Sequence, residues 1–303
     1  MASIIDGAAL ANQIREQVRA GVARFAAQGR AVHLTAILVG STPAGELYAQ
    51  RQKETCAAVG IDYELLTLPA DATFDEVANT IERLNKDLSV TGIMLHLPLP
   101  AHLDATELQH RIDQVKDVEG VNPANIGYVV YGHTLIAPCT ALAAVELIKS
   151  TGVTLRGAET VIVGASEIAG KPIALLLAEE MATVTLCHIA TRDVAAHTRR
   201  ADIVVVAVGK PNLITADHVR EGAIVIDVGI NRVPARDPAA AAAGKTRLCG
   251  DVLYEEAMGV AAAVTPVPGG VGPMTIACLL LNTLTAACRT TGVPVPEGVA
   301  PGH

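Results

Sequence analysis

Short apolar segments alternate with helical segments along this chain, and that alternation constrains its fold more than any other feature. The first half predicts strands at 32–39, 63–68 and 92–97, and helices at 8–29, 43–59 and 74–87. Strands that are separated by helices do not pair as hairpins, so they predict a parallel sheet covered by helices. The predicted fold class is therefore α/β.

A second α/β series begins near residue 157. It predicts a helix at 172–181 and strands at 160–163, 183–187, 203–206 and 224–228. This is a Rossmann-like progression, in which ligands bind at the carboxyl ends of the strands. A final helix is predicted at 276–287, whereas the Ala/Asp/Pro segment 235–244 and the Pro/Gly-rich tail 292–303 are predicted to be a mobile loop and a poorly ordered end.

Bulk properties exclude several classes of partner. The formal net charge of −8 argues against a nucleic-acid partner. The chain also lacks a run of Lys and Arg residues that would favour binding to an anionic membrane surface. No uninterrupted apolar run reaches membrane-spanning length, and the first seven residues lack the pattern of a signal peptide. The six cysteines show no CxxC spacing, which is typical of reduced thiols. We therefore expect a cytoplasmic protein that binds neither nucleic acid nor membrane.

Two glycine-containing loops are candidates for ligand binding. The run 265–275, Thr-Pro-Val-Pro-Gly-Gly-Val-Gly-Pro-Met-Thr, holds three prolines and three glycines, which neither continue a helix nor fit a central strand. It is either a rigid turn between domains or a surface where backbone lies against a flat ligand. The loop 164–172, Gly-Ala-Ser-Glu-Ile-Ala-Gly-Lys-Pro, joins a predicted strand to a helix. Glycine at such a junction lets a pyrophosphate approach the helix end, although the loop does not match GxGxxG.

Both loops resemble those of the bifunctional methylenetetrahydrofolate dehydrogenase/cyclohydrolase family, and the resemblance covers residues 3–290. It implies two α/β domains with a cleft between them, the second a Rossmann-like dinucleotide-binding domain. The implied boundaries are 1–140 plus 275–303 for a folate and catalytic domain, and 141–274 for the nucleotide-binding domain. The resemblance also implies a homodimer paired through the Rossmann-like domain. The implied substrate is a tetrahydrofolate derivative, in contact with Pro268, Gly269 and Gly270.

The implied nucleotide site departs from the family at two positions. The family carries Gly-Arg-Ser…Ile-Val-Gly-x-Pro in this loop, and the chain matches it at Gly164, Ser166, Ile168, Gly170 and Pro172. The family's arginine, associated with the extra phosphate of NADP, is Ala165 here, and the serine of its Cys-His-Ser stretch is Ile189, after His188. Both changes remove groups that bind a dianion, so we expect NAD over NADP, or no productive nucleotide binding. Arg192 is an alternative phosphate ligand, and strand-end loops containing Gly209 and Ile230 resemble the rest of the family's site.

The implied one-carbon site departs at three positions. In the family, a tyrosine on the second helix is followed four residues later by a catalytic lysine; here Tyr48 is followed by Gln52. Lys53 lies about 100° further round the helix and is a poor substitute. The family's glutamine before Leu-Pro-Leu is His96, and the second aspartate of its Asp-Val-Asp-Gly loop, which binds the pterin, is Glu119.

These changes predict which chemistry survives. Glutamine cannot titrate, whereas histidine can, with an ordinary pKa near 6.5. Either the base has moved to His96, with Gln52 holding its tautomer, or His96 is structural. We expect oxidation of 5,10-methylenetetrahydrofolate to the methenyl form with a nicotinamide cofactor, and weak or absent cyclohydrolase activity. A non-redox folate enzyme that transfers or hydrolyses a one-carbon unit, and a non-catalytic folate-binding relative, are the alternatives.

Overall fold

The computed structural model describes residues 2–40, 43–237 and 241–294, which form two compact units. The three-stranded unit comprises Asn12–Cys139 and Ile276–His303, and the six-stranded unit comprises Met1–Ala11 and Thr140–Thr275. The strands are β1 Ser3–Ile4, β2 His33–Val39, β3 Asp62–Leu68, β4 Gly92–Leu95, β5 Glu159–Val163, β6 Thr183–Cys187, β7 Ile203–Val206, β8 Ile224–Asp227, β9 Asn231–Pro234, β10 Thr246–Cys249 and β11 Ala263–Val264. The helices are α1 Gly7–Ala26, α2 Pro43–Val59, α3 Phe74–Lys86, α4 Ala105–His110, α5 Pro123–Val130, α6 Cys139–Ser150, α7 Gly170–Glu179, α8 Val194–Thr198, α9 Tyr254–Val260 and α10 Val271–Thr291.

The three-stranded unit has a parallel sheet with strand order β3-β2-β4. Central β2 is buried from Leu34 to Val39, because helices follow β2 and β3 and cover the sheet. Helix α3 begins with a capping box, in which Thr73 and Glu76 satisfy each other's backbone amides. Its apolar face, including Ile81, packs on Ile37 and Ile93 of the sheet. The parallel arrangement predicted for this half is confirmed.

The six-stranded unit has a parallel sheet with strand order β1-β11-β8-β7-β5-β6. Every residue of β7 and β8 is buried, as expected for central strands covered on both faces. The α/β fold class with a Rossmann-like second unit is confirmed.

The N-terminal residues differ from the expected domain boundaries. Residues 1–140 were expected to lie in one domain, but β1 pairs in parallel with β11, Ser3 opposite Ala263 and Ile4 opposite Val264. The first eleven residues therefore belong to the six-stranded unit. A strand of two residues is too short to show a hydrophobic period, so the sequence pattern could not indicate it.

The low-complexity segment 235–244 is flanked by a hairpin that the sequence pattern missed. β9 and β10 pair antiparallel on either side of it, and Ala235 N donates to Lys245 O at 3.0 Å. The expectation of a mobile loop falls partly on residues 238–240, and that of a poorly ordered tail falls mostly on 295–303; both ranges lie outside the described residues.

The last helix, α10, begins at Val271, five residues before the predicted start at 276. Pro273 lies in its first turn, where a missing N–H costs no helical hydrogen bond. By its length and average composition this helix could cross a membrane, although polar residues such as Asn282 interrupt its apolar sequence. Of the 18-residue window with the highest mean hydropathy, 78% is buried inside the protein, as is usual for a helix of the protein core.

Asn282 on α10 ties this helix to the three-stranded unit. Its Nδ2 donates to the carbonyls of Val118 at 2.9 Å and Ala137 at 3.0 Å, and the side chain is fully buried. We expect Asn282→Ala to lower the free energy of unfolding by about 2–3 kcal/mol, because two buried carbonyls lose their donor. Chemical denaturation measures the change. The control Asn12→Ala, at an exposed position of α1, should change it by less than about 0.5 kcal/mol; equal effects of the two variants would contradict the assigned role.

Candidate active site

The predicted nucleotide-binding residues lie along one edge of the six-stranded sheet. β6, β5, β7 and β8 are neighbours in that order, with Val163 opposite both Cys187 and Val206. Because the strands are parallel, the loops that follow them share the carboxyl edge of the sheet. Those loops contain Gly164, Ala165, Ser166, Ile168, Gly170, His188, Ile189, Gly209 and Ile230.

The glycines of the β5–α7 turn are required by its own packing. Gly164 has a φ of 119°, and a Cβ there would collide with the carbonyl oxygen of Ala207. A Cβ on Gly170 would collide in turn with the carbonyl oxygen of Gly164. Ser166 Oγ accepts a weak hydrogen bond of 3.4 Å from Gly170 N. The glycines therefore make the tight turn, and they do not by themselves identify a ligand.

The start of α7 lies at this edge, but its first amides already have partners. Gly170 N donates to Ser166 Oγ at 3.4 Å, Lys171 N donates to Ser166 O at 3.0 Å, and Pro172 has no N–H, so the helix end would attract an anion through its dipole. Ile168 is 55% exposed and Ile189 is fully exposed, which places apolar surface beside this helix end. Arg192 is also exposed on the loop after β6.

Two buried carboxylates that the sequence reading did not single out as site residues hold these loops. Asp251 accepts hydrogen bonds from Val208 N at 2.7 Å, Gly209 N at 2.9 Å and Asn231 Nδ2 at 2.8 Å. Asp227 accepts from the amides of Gly229, Asp251 and Val252. Burial raises the pKa of Asp227 to about 6 in spite of these donors. Asp251 follows β10, a strand that the sequence pattern did not indicate, so no local signal pointed to this residue.

The Pro/Gly run forms part of a pocket in the same unit. Residues 266–273 line it with residues 227–230 and Leu248, so Pro268, Gly269 and Gly270 share a pocket with Ile230. Gly270 N donates to Pro266 O at 2.9 Å, and a Cβ on Gly7 would collide with the carbonyl oxygen of Gly270. Both interpretations of the run have support, because it is a tightly packed turn and also lines a pocket.

The predicted one-carbon residues meet in the three-stranded unit. The rings of Tyr48, on α2, and His96, just after β4, lie edge to face with centroids 5.5 Å apart. Gln52 lies one helical turn after Tyr48 and is 5% exposed, and His96 is 4% exposed. Lys53 is on the exposed side of α2, as the helical geometry predicted.

Tyr63 joins Gln52 to His96, and sequence reasoning missed it. Its hydroxyl lies 3.2 Å from Gln52 Oε1 and 3.3 Å from His96 Nε2, whereas Gln52 Nε2 donates to Met94 Sδ at 2.9 Å. Any influence of Gln52 on the His96 tautomer therefore passes through the hydroxyl of Tyr63, which stands between the two side chains. The β-sheet pairs Tyr63 with Leu34, a long-range contact that no local motif signals.

Glu119 completes this cluster. Its Oε2 accepts a hydrogen bond of 3.4 Å from Leu95 N, next to His96. Burial, followed by the charge of Asp117, raises the pKa of Glu119 to about 7. Burial and then the charge of Glu119 raise the pKa of Tyr48, and burial lowers the pKa of His96. At neutral pH the cluster therefore combines an imidazole that burial keeps neutral with a carboxyl group whose pKa lies close to the pH.

Family models match most of the chain. The catalytic-domain model of tetrahydrofolate dehydrogenase/cyclohydrolase matches residues 5–119, and the NAD(P)-binding-domain model of the same family matches residues 138–291.

Individual relatives are similar over nearly the full length. The bifunctional protein FolD of Rhodospirillum centenum is 48% identical over 301 residues, which cover 99% of each chain. Among solved structures, the bifunctional FolD of Campylobacter jejuni is 40% identical with a TM-score of 0.89, over 95% of this chain and 100% of its own. The FolD of Trypanosoma brucei, described as complexed with NADP and an inhibitor, is 38% identical with a TM-score of 0.87, over 95% of this chain and 98% of its own.

The raised pKa of Glu119 has a consequence for stability. A carboxyl whose pKa is raised in the folded protein binds more protons there than in the unfolded chain, so its contribution to stability is present at acid pH and is lost as the pH rises through about 7. We expect Glu119→Gln to remove this loss, so that the free energy of unfolding of the variant gains up to about 3 kcal/mol on the original chain between pH 4 and 8. Urea denaturation across this pH range measures the difference, in which other titrating groups cancel. Glu54→Gln, on the exposed face of α2, is the control; parallel pH profiles for the original chain and Glu119→Gln would contradict the assignment.

Proposed function

The chain belongs to the tetrahydrofolate dehydrogenase/cyclohydrolase family and is an enzyme of tetrahydrofolate one-carbon metabolism, and from that premise we propose which of the family's two reactions its residues support. It oxidises 5,10-methylenetetrahydrofolate to 5,10-methenyltetrahydrofolate with a nicotinamide cofactor. It catalyses the subsequent hydrolysis weakly or not at all.

The buried amide of Gln52 is the observation that carries this proposal. The resemblance puts the family's catalytic lysine at this position, and hydrolysis of the methenyl group requires a side chain there that moves protons. Gln52 is engaged through both ends of its amide, with Met94 Sδ and the Tyr63 hydroxyl. An amide does not titrate near neutral pH, so it cannot replace a lysine in proton transfer.

Oxidation makes smaller demands on the same residues. The bound nicotinamide supplies the hydride acceptor, and the protein has to hold the substrate carbon in a productive orientation. Tyr48 offers an exposed ring face for the folate, and Glu119 offers a carboxyl group to the amino edge of a pterin. Hydride transfer leaves the methenyl product as a cation and releases no proton, so this step needs no base. His96, neutral because burial lowers its pKa, remains as a hydrogen-bonding group beside Tyr48.

We further propose that NAD is preferred over NADP. The extra phosphate of NADP is a dianion that needs cationic or hydroxyl partners. The chain has Ala165 and the fully exposed Ile189 where the family's loops carry an arginine and a serine. Arg192 is exposed on the same loop as Ile189 and is the residue through which NADP would still bind.

Assembly and compartment are also proposals. β6 is an edge strand of its sheet and carries Leu186, 37% exposed, after the 56% exposed Met181. Apolar residues on an unpaired strand edge favour a homodimer through the six-stranded unit, which light scattering tests. All six cysteines are buried thiols, which supports a reducing cytoplasm. The acidic net charge supports a function without a nucleic-acid or membrane partner.

We expect the purified protein to form 5,10-methenyltetrahydrofolate from 5,10-methylenetetrahydrofolate with NAD, with a kcat/KM at least about tenfold above that with NADP, the size expected from losing one strong phosphate contact. Absorbance of the methenyl product and of the reduced cofactor measures both rates. Ala165→Arg combined with Ile189→Ser should raise kcat/KM for NADP relative to NAD, and Arg192→Ala tests the alternative ligand.

The outcomes separate the alternatives. An unchanged NADP/NAD ratio in the double variant would contradict the cofactor argument alone. No oxidation with either cofactor, by folded protein that still binds folate, would replace the proposal with the non-redox one-carbon enzyme. Folate binding with no turnover of any one-carbon substrate would leave the non-catalytic relative.

A further inference from the structure

Hydrogen bonds connect four of the described residues in the order Met94, Gln52, Tyr63 and His96. Within this series, the hydroxyl of Tyr63 is the group that connects Gln52 with His96. It contacts Gln52 Oε1 at 3.2 Å and His96 Nε2 at 3.3 Å. A hydroxyl has one proton, so it donates to one of these neighbours and accepts from the other. Burial raises the pKa of Tyr63 far above neutrality, so the hydroxyl keeps that proton. The direction of the chain is therefore a two-state choice.

Met94 fixes that choice at its far end. Its thioether sulfur accepts hydrogen bonds and never donates them, and it lies 2.9 Å from Gln52 Nε2. The opposite amide orientation would place Gln52 Oε1 against the sulfur with no proton between them. The amide nitrogen therefore faces Met94, and the amide oxygen faces Tyr63. Tyr63 then donates to Gln52, and its oxygen accepts from His96 Nε2.

We propose that Tyr63 is a positioning residue that transmits the hydrogen-bonding character of residue 52 to His96, so that Gln52 holds the His96 proton on Nε2 and leaves Nδ1 as the acceptor. This inference rests on the proposed function, in which His96 is a neutral hydrogen-bonding group at the folate site. It adds the residue that selects the accepting nitrogen, and it explains how an amide at position 52 still serves the site.

The inference has a specific consequence for a lysine at position 52. An ammonium group only donates hydrogen bonds, so it would make the Tyr63 oxygen an acceptor and turn the Tyr63 proton toward His96 Nε2. His96 would then carry its proton on Nδ1. A carboxylate at position 52 only accepts, and it would keep the original direction.

Nuclear magnetic resonance of the full chain with ¹⁵N-labelled histidine tests this, at a pH of about 8 where the imidazole is neutral. His96→Gln identifies the His96 signals among those of the nine histidines. We expect the Nε2–H form in the original chain and in Gln52→Glu, and a shift of the tautomer ratio toward Nδ1–H by about tenfold or more in Gln52→Lys. Gln52→Lys combined with Tyr63→Phe should return to the Nε2–H form. Tyr131→Phe, at a tyrosine that is 79% exposed, is the control.

A second measurement does not depend on the lysine variant folding. In the original chain the His96 Nε2–H group donates a hydrogen bond to the Tyr63 oxygen, so its proton should exchange slowly with water and give a resolved cross-peak. Tyr63→Phe should speed that exchange by about tenfold or more. An Nδ1–H form in the original chain, or exchange that Tyr63→Phe leaves unchanged, would overturn the inference. So would a Gln52→Lys shift that survives Tyr63→Phe, because lysine would then act on His96 directly. These spectra need no turnover, so their outcome is independent of whether the protein oxidises folate.

Discussion

Buried carboxylates that accept backbone hydrogen bonds hold the loops on which the candidate sites are built. Asp251 and Asp227 fix the loops after β7 and β8, and Asp117 accepts from Gly120 N and Asn122 N in the turn that carries Glu119. All three are almost fully buried, so their charge is tolerated only because these donors surround them. Gly229 and Gly250 are required beside them, since a Cβ at either would collide with a carboxylate. The shape of the sites is therefore part of what stabilises each unit.

Much of this could be predicted from the sequence, and the exceptions have physical causes. Strand–helix alternation indicated both parallel sheets, because long periodic segments carry a strong signal. The two-residue β1 and the hairpin around 235–244 were missed, since neither has a long enough period. The start of α10 was placed five residues late because Pro273 was treated as a helix breaker rather than a first-turn residue.

The candidate sites show the same division. Gln52, His96 and Glu119 were indicated by the family pattern they depart from, and the structure brings them into one cluster with Tyr48. Tyr63 was missed because it reaches the cluster through sheet pairing across a long sequence separation. Asp251 was missed because its partners are amides of distant loops. The residues that the resemblance assigns to the substrate lie in local motifs, so they can be recognised in the sequence. The residues that hold them in place are defined by tertiary contacts, which no local motif records.

We propose that this chain oxidises the methylene substrate but hydrolyses the methenyl product weakly or not at all, and the hydrolytic step tests that proposal most directly. We would add 5,10-methenyltetrahydrofolate to the purified full chain and follow its hydrolysis to the formyl product against buffer alone. We expect a rate close to that of buffer, and a gain of about tenfold or more in Gln52→Lys, alone or with His96→Gln and Glu119→Asp, because a titratable amine returns to the site. Hydrolysis by the original chain as fast as its oxidation of the methylene substrate would contradict the loss of cyclohydrolase function.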